Sequence, residues 1–332
     1  MDAYLTLDGP TDILVIPGLT MPTVEPDYLV DIEAAAPAGS RVRAAPGMKQ
    51  AAEMAADTEI VLGFIDRRLY DAAPNLRRVH AIASGMDTLL FPDLVASEVI
   101  ITGEKGLVGG HLADTGFGLL LALTRQIHTA VRLGPDAWAH RVDMRMKEIE
   151  LEGLTMGLLG FGGTGRAMAQ RAVAFGMHTI AVDEYPSPGA HGVEEVWPTA
   201  RLPELLESSD VVAICCPLTP ETDRLFDEAR FAAMRPGSYL VNVTRGEIVD
   251  GDALVAALRS GHLAGAALDV APGEPLPADH PLFRLDNVAM TPHTAGASQH
   301  RAPRSVARFC RNLERARKGE PLEGVVDKDA GY

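Results

Sequence analysis

The most restrictive feature of the chain is a run of glycines, Gly160-x-Gly162-x-x-Gly165, directly after the apolar stretch Leu154–Leu159. A helical pattern, Arg166-Ala-Met-Ala-Gln-Arg171, follows, and a second apolar run, Thr179–Val182, ends at Asp183. Strand, tight turn, helix, strand and acid succeed one another in the order of a dinucleotide-binding βαβ unit. Gly160 permits the sharp turn, Gly162 has no side chain to block a pyrophosphate, and Gly165 lets helix and strand pack closely. Gly163 and Thr164 open the helix, whose unpaired N–H groups and positive end attract a diphosphate. Asp183, 18 residues past Gly165, is placed to accept both hydroxyls of a ribose. Glu184, Tyr185 and Pro186 come next, with no Arg or Lys at hand for a 2′-phosphate, so the expected cofactor is NAD rather than NADP.

The rest of the chain repeats the β/α rhythm. Before the glycine run, candidate strands are 12–16, 41–44, 59–64, 79–83 and 99–102, and a long helix is expected over 111–133. After the run begins, strands are expected near 156–159, 179–182, 211–216, 239–243, 265–270 and 288–290, and an amphipathic helix over 302–318. The fold class is α/β, with two doubly wound parallel-sheet lobes. Because the dinucleotide unit starts mid-chain, the simplest arrangement inserts a Rossmann NAD-binding domain, 109–292, into a flavodoxin-like substrate-binding (catalytic) domain of 1–108 and 293–332. The active site is then expected in the cleft between lobes.

Charge narrows the partners. With 30 Lys and Arg against 45 Asp and Glu, the formal net charge is −15, which argues against nucleic acid and anionic membrane surfaces. Cys215, Cys216 and Cys310 have no framework spacing, and the first two read as small buried residues. No basic segment leads into an apolar one at the start, and the apolar stretch 117–123 is too short to span a bilayer, so a cytoplasmic protein is expected. The histidines lack metal-ligand spacing, and no metal is expected.

Three polar clusters sit where late strands end: Asn242-Val-Thr244-Arg245-Gly246-Glu-Ile-Val-Asp250, Ala267-Leu-Asp269-Val-Ala-Pro-Gly-Glu274-Pro275, and Thr291-Pro-His293-Thr-Ala-Gly296. With the glycine loop and the stretches Cys216-Pro217-Leu-Thr-Pro-Glu-Thr222 and His280-Pro-Leu282, they closely resemble the D-isomer-specific 2-hydroxyacid dehydrogenases, among them glyoxylate/hydroxypyruvate reductases and phosphoglycerate dehydrogenases. The resemblance runs over nearly the whole chain and keeps its spacing, 29 residues from Arg245 to Glu274 and 19 from Glu274 to His293. It implies that Arg245, Glu274 and His293 are the catalytic residues of an NAD-dependent enzyme interconverting a small 2-oxo acid and the D-2-hydroxy acid. The chemistry suits them. A planar guanidinium binds carboxylate and carbonyl oxygens, an imidazole gives and takes a proton at the carbonyl oxygen, and a carboxylate holds that ring and supports its charged form.

Further roles come from the resemblance alone. Ser84 and Gly85, in Ile82-Ala-Ser-Gly-Met-Asp87, match a loop whose N–H groups hold the substrate carboxylate. Pro217 matches a residue beside the nicotinamide ribose. Asp269 matches an acid at the carboxamide, and Thr244 a carbonyl near the same group. A homodimer is implied, with Trp138, Arg141 and Arg145 in the segment that reaches across the interface. His111 replaces part of a common helix opening and is expected to cap that helix, while Phe64 is expected in the core. Formate and phosphite dehydrogenases share the architecture. Glu274 speaks against the formate type, which carries glutamine there, whereas phosphite oxidation stays open. So does an NAD-sensing co-repressor-type scaffold with little turnover, although the long low-complexity extensions of such proteins are missing.

Overall fold

The computed structural model describes residues 5–332. The residues up to Val108 together with Ala297–Tyr332 form one compact unit, and Gly109–Gly296 form the other. The second crossing follows Gly296 rather than residue 292, so His293 stands in the second unit and not, as the sequence reading had it, in the first.

The first unit is built on β1 (Asp12–Val15), β2 (Arg41–Ala44), β3 (Ile60–Leu62), β4 (Arg78–His80) and β5 (Ile100–Thr102), in the order β2-β1-β3-β4-β5. Every pairing is parallel. Strands β1, β3 and β4 are buried along their length, as a parallel sheet covered on both faces requires. Alternate residues go to opposite faces. Leu14, Val61 and Val79 join Leu69 and Leu94 on one face, whereas Ile13, Val15, Ile60 and Leu62 meet Val306, Phe309 and Leu313 on the other. These last three lie on one stripe of the helix Arg301–Lys318, which ends at Gly319 in the left-handed region (φ 66°). Phe64, expected in the core, follows β3 and is 39% exposed, because the strand stops at Leu62 and releases it.

The second unit holds β6 (Thr155–Leu159), β7 (His178–Asp183), β8 (Val196–Pro198), β9 (Val211–Ile214), β10 (Ser238–Asn242), β11 (Leu263–Leu268) and β12 (Val288–Met290). Their order is β12-β11-β10-β9-β6-β7-β8, and all pairs are parallel. The winding reverses between β6 and β9, which makes the carboxyl ends of these strands the place where an open sheet of this kind binds ligands. Strand β8 was not anticipated: three residues ending in proline at a sheet edge leave little pattern to read.

The long helix expected over 111–133 is two helices, Gly109–Thr124 and Ile127–Leu133, broken at Gln126 in the left-handed region (φ 54°). No Gly or Pro marks the break. Side chains help instead: Gln126 Nε2 joins its own backbone N–H in donating to the Leu123 carbonyl at 3.1 Å, and His128 Nδ1 lies 2.9 Å from that of Ala122. His111 belongs to the first turn of the first of these helices and is not its cap. Among the described residues, no helix is long and apolar enough to cross a membrane.

Candidate active site

The glycine loop links β6 to the helix Gly163–Ala174, and its three glycines do different work. Gly160 is in the left-handed region (φ 93°), and a Cβ there would lie 2.7 Å from the backbone nitrogen of Cys216, just beyond β9. At Gly165 a Cβ would lie 2.1 Å from the Gly160 carbonyl oxygen, so only glycine lets the helix approach the strand so closely. A Cβ on Gly162 would meet nothing within 4 Å. That space lies at the start of a helix whose N-cap, Gly162, supplies no side-chain cap. The arrangement fits a diphosphate, because the turn is closed against the sheet while its outer side and the first N–H groups of the helix, from Gly163 and Thr164, are open.

Asp183 ends β7 beside this turn. Its Oδ2 accepts from the Phe161 N–H at 2.6 Å and its Oδ1 from the Tyr185 N–H at 2.9 Å. Both oxygens are thus oriented by backbone, and each keeps lone-pair capacity for a hydroxyl donor. Cys216 is packed between this carboxylate and the turn. Burial, with a smaller contribution from Asp183, pushes its thiol up to about 12. Pro217 follows it, exposed, with its carbonyl accepting from Thr222 Oγ1 at 2.8 Å.

The three polar clusters follow β10, β11 and β12, which are neighbours in the sheet. After β10, the buried Asn242 closes a short turn: its Oδ1 accepts from the Thr244 N–H at 3.1 Å, and its Nδ2 donates to the Arg245 carbonyl at 2.8 Å. Arg245 Nη1 donates to the Thr244 carbonyl at 2.8 Å. Gly246 lets this loop press on the next one, since a Cβ there would lie 2.1 Å from the Ala271 carbonyl. That next loop carries Glu274, whose Oε1 accepts from the Ala271 N–H at 2.8 Å and whose Oε2 lies 2.7 Å from His293 Nδ1. With a carboxylate at Nδ1, that nitrogen carries the hydrogen, and Nε2 is the other ring nitrogen, able to accept or donate a proton.

His293 holds an uncommon backbone conformation (φ 54°). It is enforced by Asp269, which is 1% exposed. The Asp269 carbonyl accepts from the His293 N–H at 2.7 Å, Oδ1 accepts from Thr291 Oγ1 at 2.6 Å and the Thr294 N–H at 2.9 Å, and Oδ2 accepts from the Ala295 N–H at 2.9 Å. The acid that sequence comparison assigns to the nicotinamide therefore anchors the histidine loop. Asn242, Thr291 and Gly246 carry this architecture without having been singled out. An asparagine closing a mostly apolar strand, one residue before Thr-Arg-Gly, was the available signal.

Of the other residues named from sequence, Ser84 and Gly85 lie in the first unit, in the loop after β4, with Ser84 exposed. Arg141 and Arg145 are exposed on the helix Arg141–Lys147. Among the described residues, no group of three or more His, Cys, Asp or Glu is placed to hold a metal ion.

Residues 117–295 match the family model described as "D-isomer specific 2-hydroxyacid dehydrogenase, NAD binding domain". The chain is 38% identical over 273 residues to a glyoxylate reductase of Thermofilum pendens, covering 80% of this chain and 79% of that one. It is 36% identical over 270 residues to glyoxylate/hydroxypyruvate reductase B of Pectobacterium carotovorum, covering 80% and 83%. Among solved structures it is similar to a D-isomer specific 2-hydroxyacid dehydrogenase from Xanthobacter autotrophicus, crystallised with NADPH and MES (TM-score 0.80, 28% identity, 98% of this chain and 100% of that one).

Proposed function

Because the chain belongs to the D-isomer specific 2-hydroxyacid dehydrogenase family, we propose that it reduces a small 2-oxo acid of the glyoxylate or hydroxypyruvate type to the 2-hydroxy acid with NADH, and oxidises the D-2-hydroxy acid in reverse. The observation that carries this reading is the hydrogen bond from His293 to Glu274, on a loop packed by Gly246 against the one bearing Arg245. A nicotinamide bound at this sheet edge supplies or accepts the hydride. His293 gives its Nε2 proton to the carbonyl oxygen during reduction and recovers it during oxidation. Glu274 holds the ring and balances the imidazolium charge. Arg245 binds the substrate carboxylate and carbonyl and supports the charge that grows on oxygen. Gly160 to Gly165 and Asp183 hold the diphosphate and ribose, with Pro217, Thr244 and Asp269 around the nicotinamide.

The Xanthobacter relative was crystallised with NADPH. Asp183, the residue proposed to hold the ribose, is followed by Glu184, and two carboxylates repel a 2′-phosphate, so NADH is the proposed partner. The assembly is proposed to be a homodimer formed through the 127–147 segment, where Val131, Trp138, Val142 and Met146 are each more than 70% exposed. Three free thiols suit the reducing cytoplasm. The test is loss of NADH absorbance against a panel of 2-oxo acids, with NADPH in parallel. Turnover of one acid with NADH supports the reading. NADPH winning overturns the role given to Asp183, and silence across the panel with NADH bound overturns the reaction.

A further inference from the structure

We infer that Asn242 is a positioning residue for substrate binding: its side-chain amide closes the turn that aims Arg245. This deepens the function proposed above and rests on it. Asn242 is 1% exposed at the end of β10, in a strand otherwise built from Ser238, Tyr239, Leu240 and Val241. Both ends of its amide are engaged. Oδ1 accepts from the Thr244 N–H at 3.1 Å and from Thr244 Oγ1 at 3.3 Å, and Nδ2 donates to the Arg245 carbonyl at 2.8 Å. Flipping the amide would set oxygen against oxygen and N–H against N–H, so the partners fix its orientation. Its backbone carbonyl also accepts from the Asp269 N–H at 2.9 Å, which ties the Arg245 turn to the strand whose end anchors His293.

The turn is also held by the close packing of Gly246 on Ala271 and by Arg245 Nη1, which donates to the Thr244 carbonyl. Arg245 itself is extended (φ −142°, ψ 133°), and the next helical turn begins only at Gly246. A one-turn loop held by a side chain, with a buried donor and a buried acceptor both satisfied, keeps a single geometry. A guanidinium carried on it reaches the same point in every molecule. Loss of the amide frees the turn, and the arginine then samples positions from which it binds the oxo acid poorly.

No other side chain of this size supplies an acceptor at one end and a donor at the other without taking up a proton. Aspartate keeps the acceptor facing Thr244 but places an oxygen against the Arg245 carbonyl, a contact that is repulsive when ionised and a hydrogen bond when protonated. Asn242→Asp therefore converts the clip into a pH-dependent one.

The experiment measures KM for the preferred 2-oxo acid, kcat, and NADH affinity by fluorescence across about pH 5.5 to pH 8.5 in wild type, Asn242→Asp, Asn242→Ala and Arg245→Ala. At the alkaline end, Asn242→Asp is expected to raise KM by roughly tenfold or more, and the ratio to wild type is expected to shrink as pH falls. Asn242→Ala is expected to raise KM by a similar factor at every pH. NADH affinity is expected to fall by a smaller factor than KM rises in both, because the glycine turn and Asp183 are built on other strands and Thr244 alone of this turn is assigned to the nicotinamide. If Asn242→Asp does not fold, the rise in KM of Asn242→Ala, compared with its change in NADH affinity, decides alone. A KM unchanged by Asn242→Ala beside a damaged Arg245→Ala overturns this inference and leaves the reaction standing. An undamaged Arg245→Ala overturns the role of Arg245, and with it both readings.

Discussion

Glu274 accepts two hydrogen bonds from different directions, one per carboxylate oxygen: the backbone of Ala271 at 2.8 Å and the imidazole Nδ1 of His293 at 2.7 Å. The first bond fixes where the carboxylate points, and the second passes that orientation to the ring. The pair is only partly buried, with side chains 32% and 46% exposed, so its value lies in geometry more than in a strong isolated ion pair.

Glutamine at position 274 can accept at only one of its two terminal atoms, so it cannot accept from both the Ala271 N–H and the His293 Nδ1–H, and it carries no charge to balance an imidazolium. Glu274→Gln is expected to lower kcat for oxo-acid reduction by about a hundredfold, and His293→Ala by about 10²- to 10⁴-fold, with NADH affinity unchanged in both. Steady-state kinetics with parallel NADH titration checks this. A His293→Ala enzyme that keeps wild-type kcat would remove the histidine from the chemistry.

The glycine turn separates a packing role from a binding role. A methyl at Gly165 would lie 2.1 Å from the Gly160 carbonyl, and backbone cannot move aside cheaply. Gly165→Ala is expected to cost about 1–3 kcal/mol or more of stability. A methyl at Gly162 meets no protein atom within 4 Å, and the residue has an ordinary negative φ of −75°. Gly162→Ala is expected to keep the melting temperature within about 2 °C while weakening NADH binding roughly tenfold or more. Calorimetry beside fluorescence titration tells the two apart. Equal losses of stability would mean that Gly162 is there for packing.

Much of this architecture was legible because parallel strands buried on both faces read as apolar runs, and because the glycine turn demands particular residues at particular spacings. Strands β2 and β12 fall where the pattern puts them. The break at Gln126 was hidden because side-chain hydrogen bonds from Gln126 and His128, and no Gly or Pro, hold it. The residues of the candidate site could be named, but their supports could not. That Asp269 anchors residues 294–295 depends on β11 and β12 lying side by side, and one sequence does not show strand order.

The segment 127–147 tests the proposed dimer. Trp138 is 80% exposed, with Val131 at 76%, Val142 at 71% and Met146 at 81%, a concentration of apolar surface unusual on an isolated chain. Trp138→Asp combined with Val142→Asp is expected to turn a dimer into a monomer in light scattering, with far-ultraviolet circular dichroism unchanged. A wild-type protein that is already monomeric at high concentration would end the proposal.

The first unit carries its own electrostatic prediction. Glu104 is fully buried, and its Oε2 pairs with Arg301 Nη2 at 2.6 Å and Nε at 2.9 Å at the start of the C-terminal helix. Burial pushes the Glu104 carboxyl up from its usual range, and Arg301 pulls it partly back. A carboxyl raised in the folded state holds its proton more readily there than in the unfolded chain. Its contribution to stability is therefore full below the ordinary carboxylate range and is lost as pH rises through the raised value. Arg301→Met removes the opposing partner and enlarges that loss. The variant is expected to cost about 3–5 kcal/mol near neutral pH, where Glu104 must ionise without its guanidinium or take up a proton. The difference from wild type should narrow toward about pH 5, where protonation is easier. Urea denaturation of both proteins at the two pH values measures it. An equal loss at both would show that Arg301 stabilises the helix through its stem and not through the buried charge.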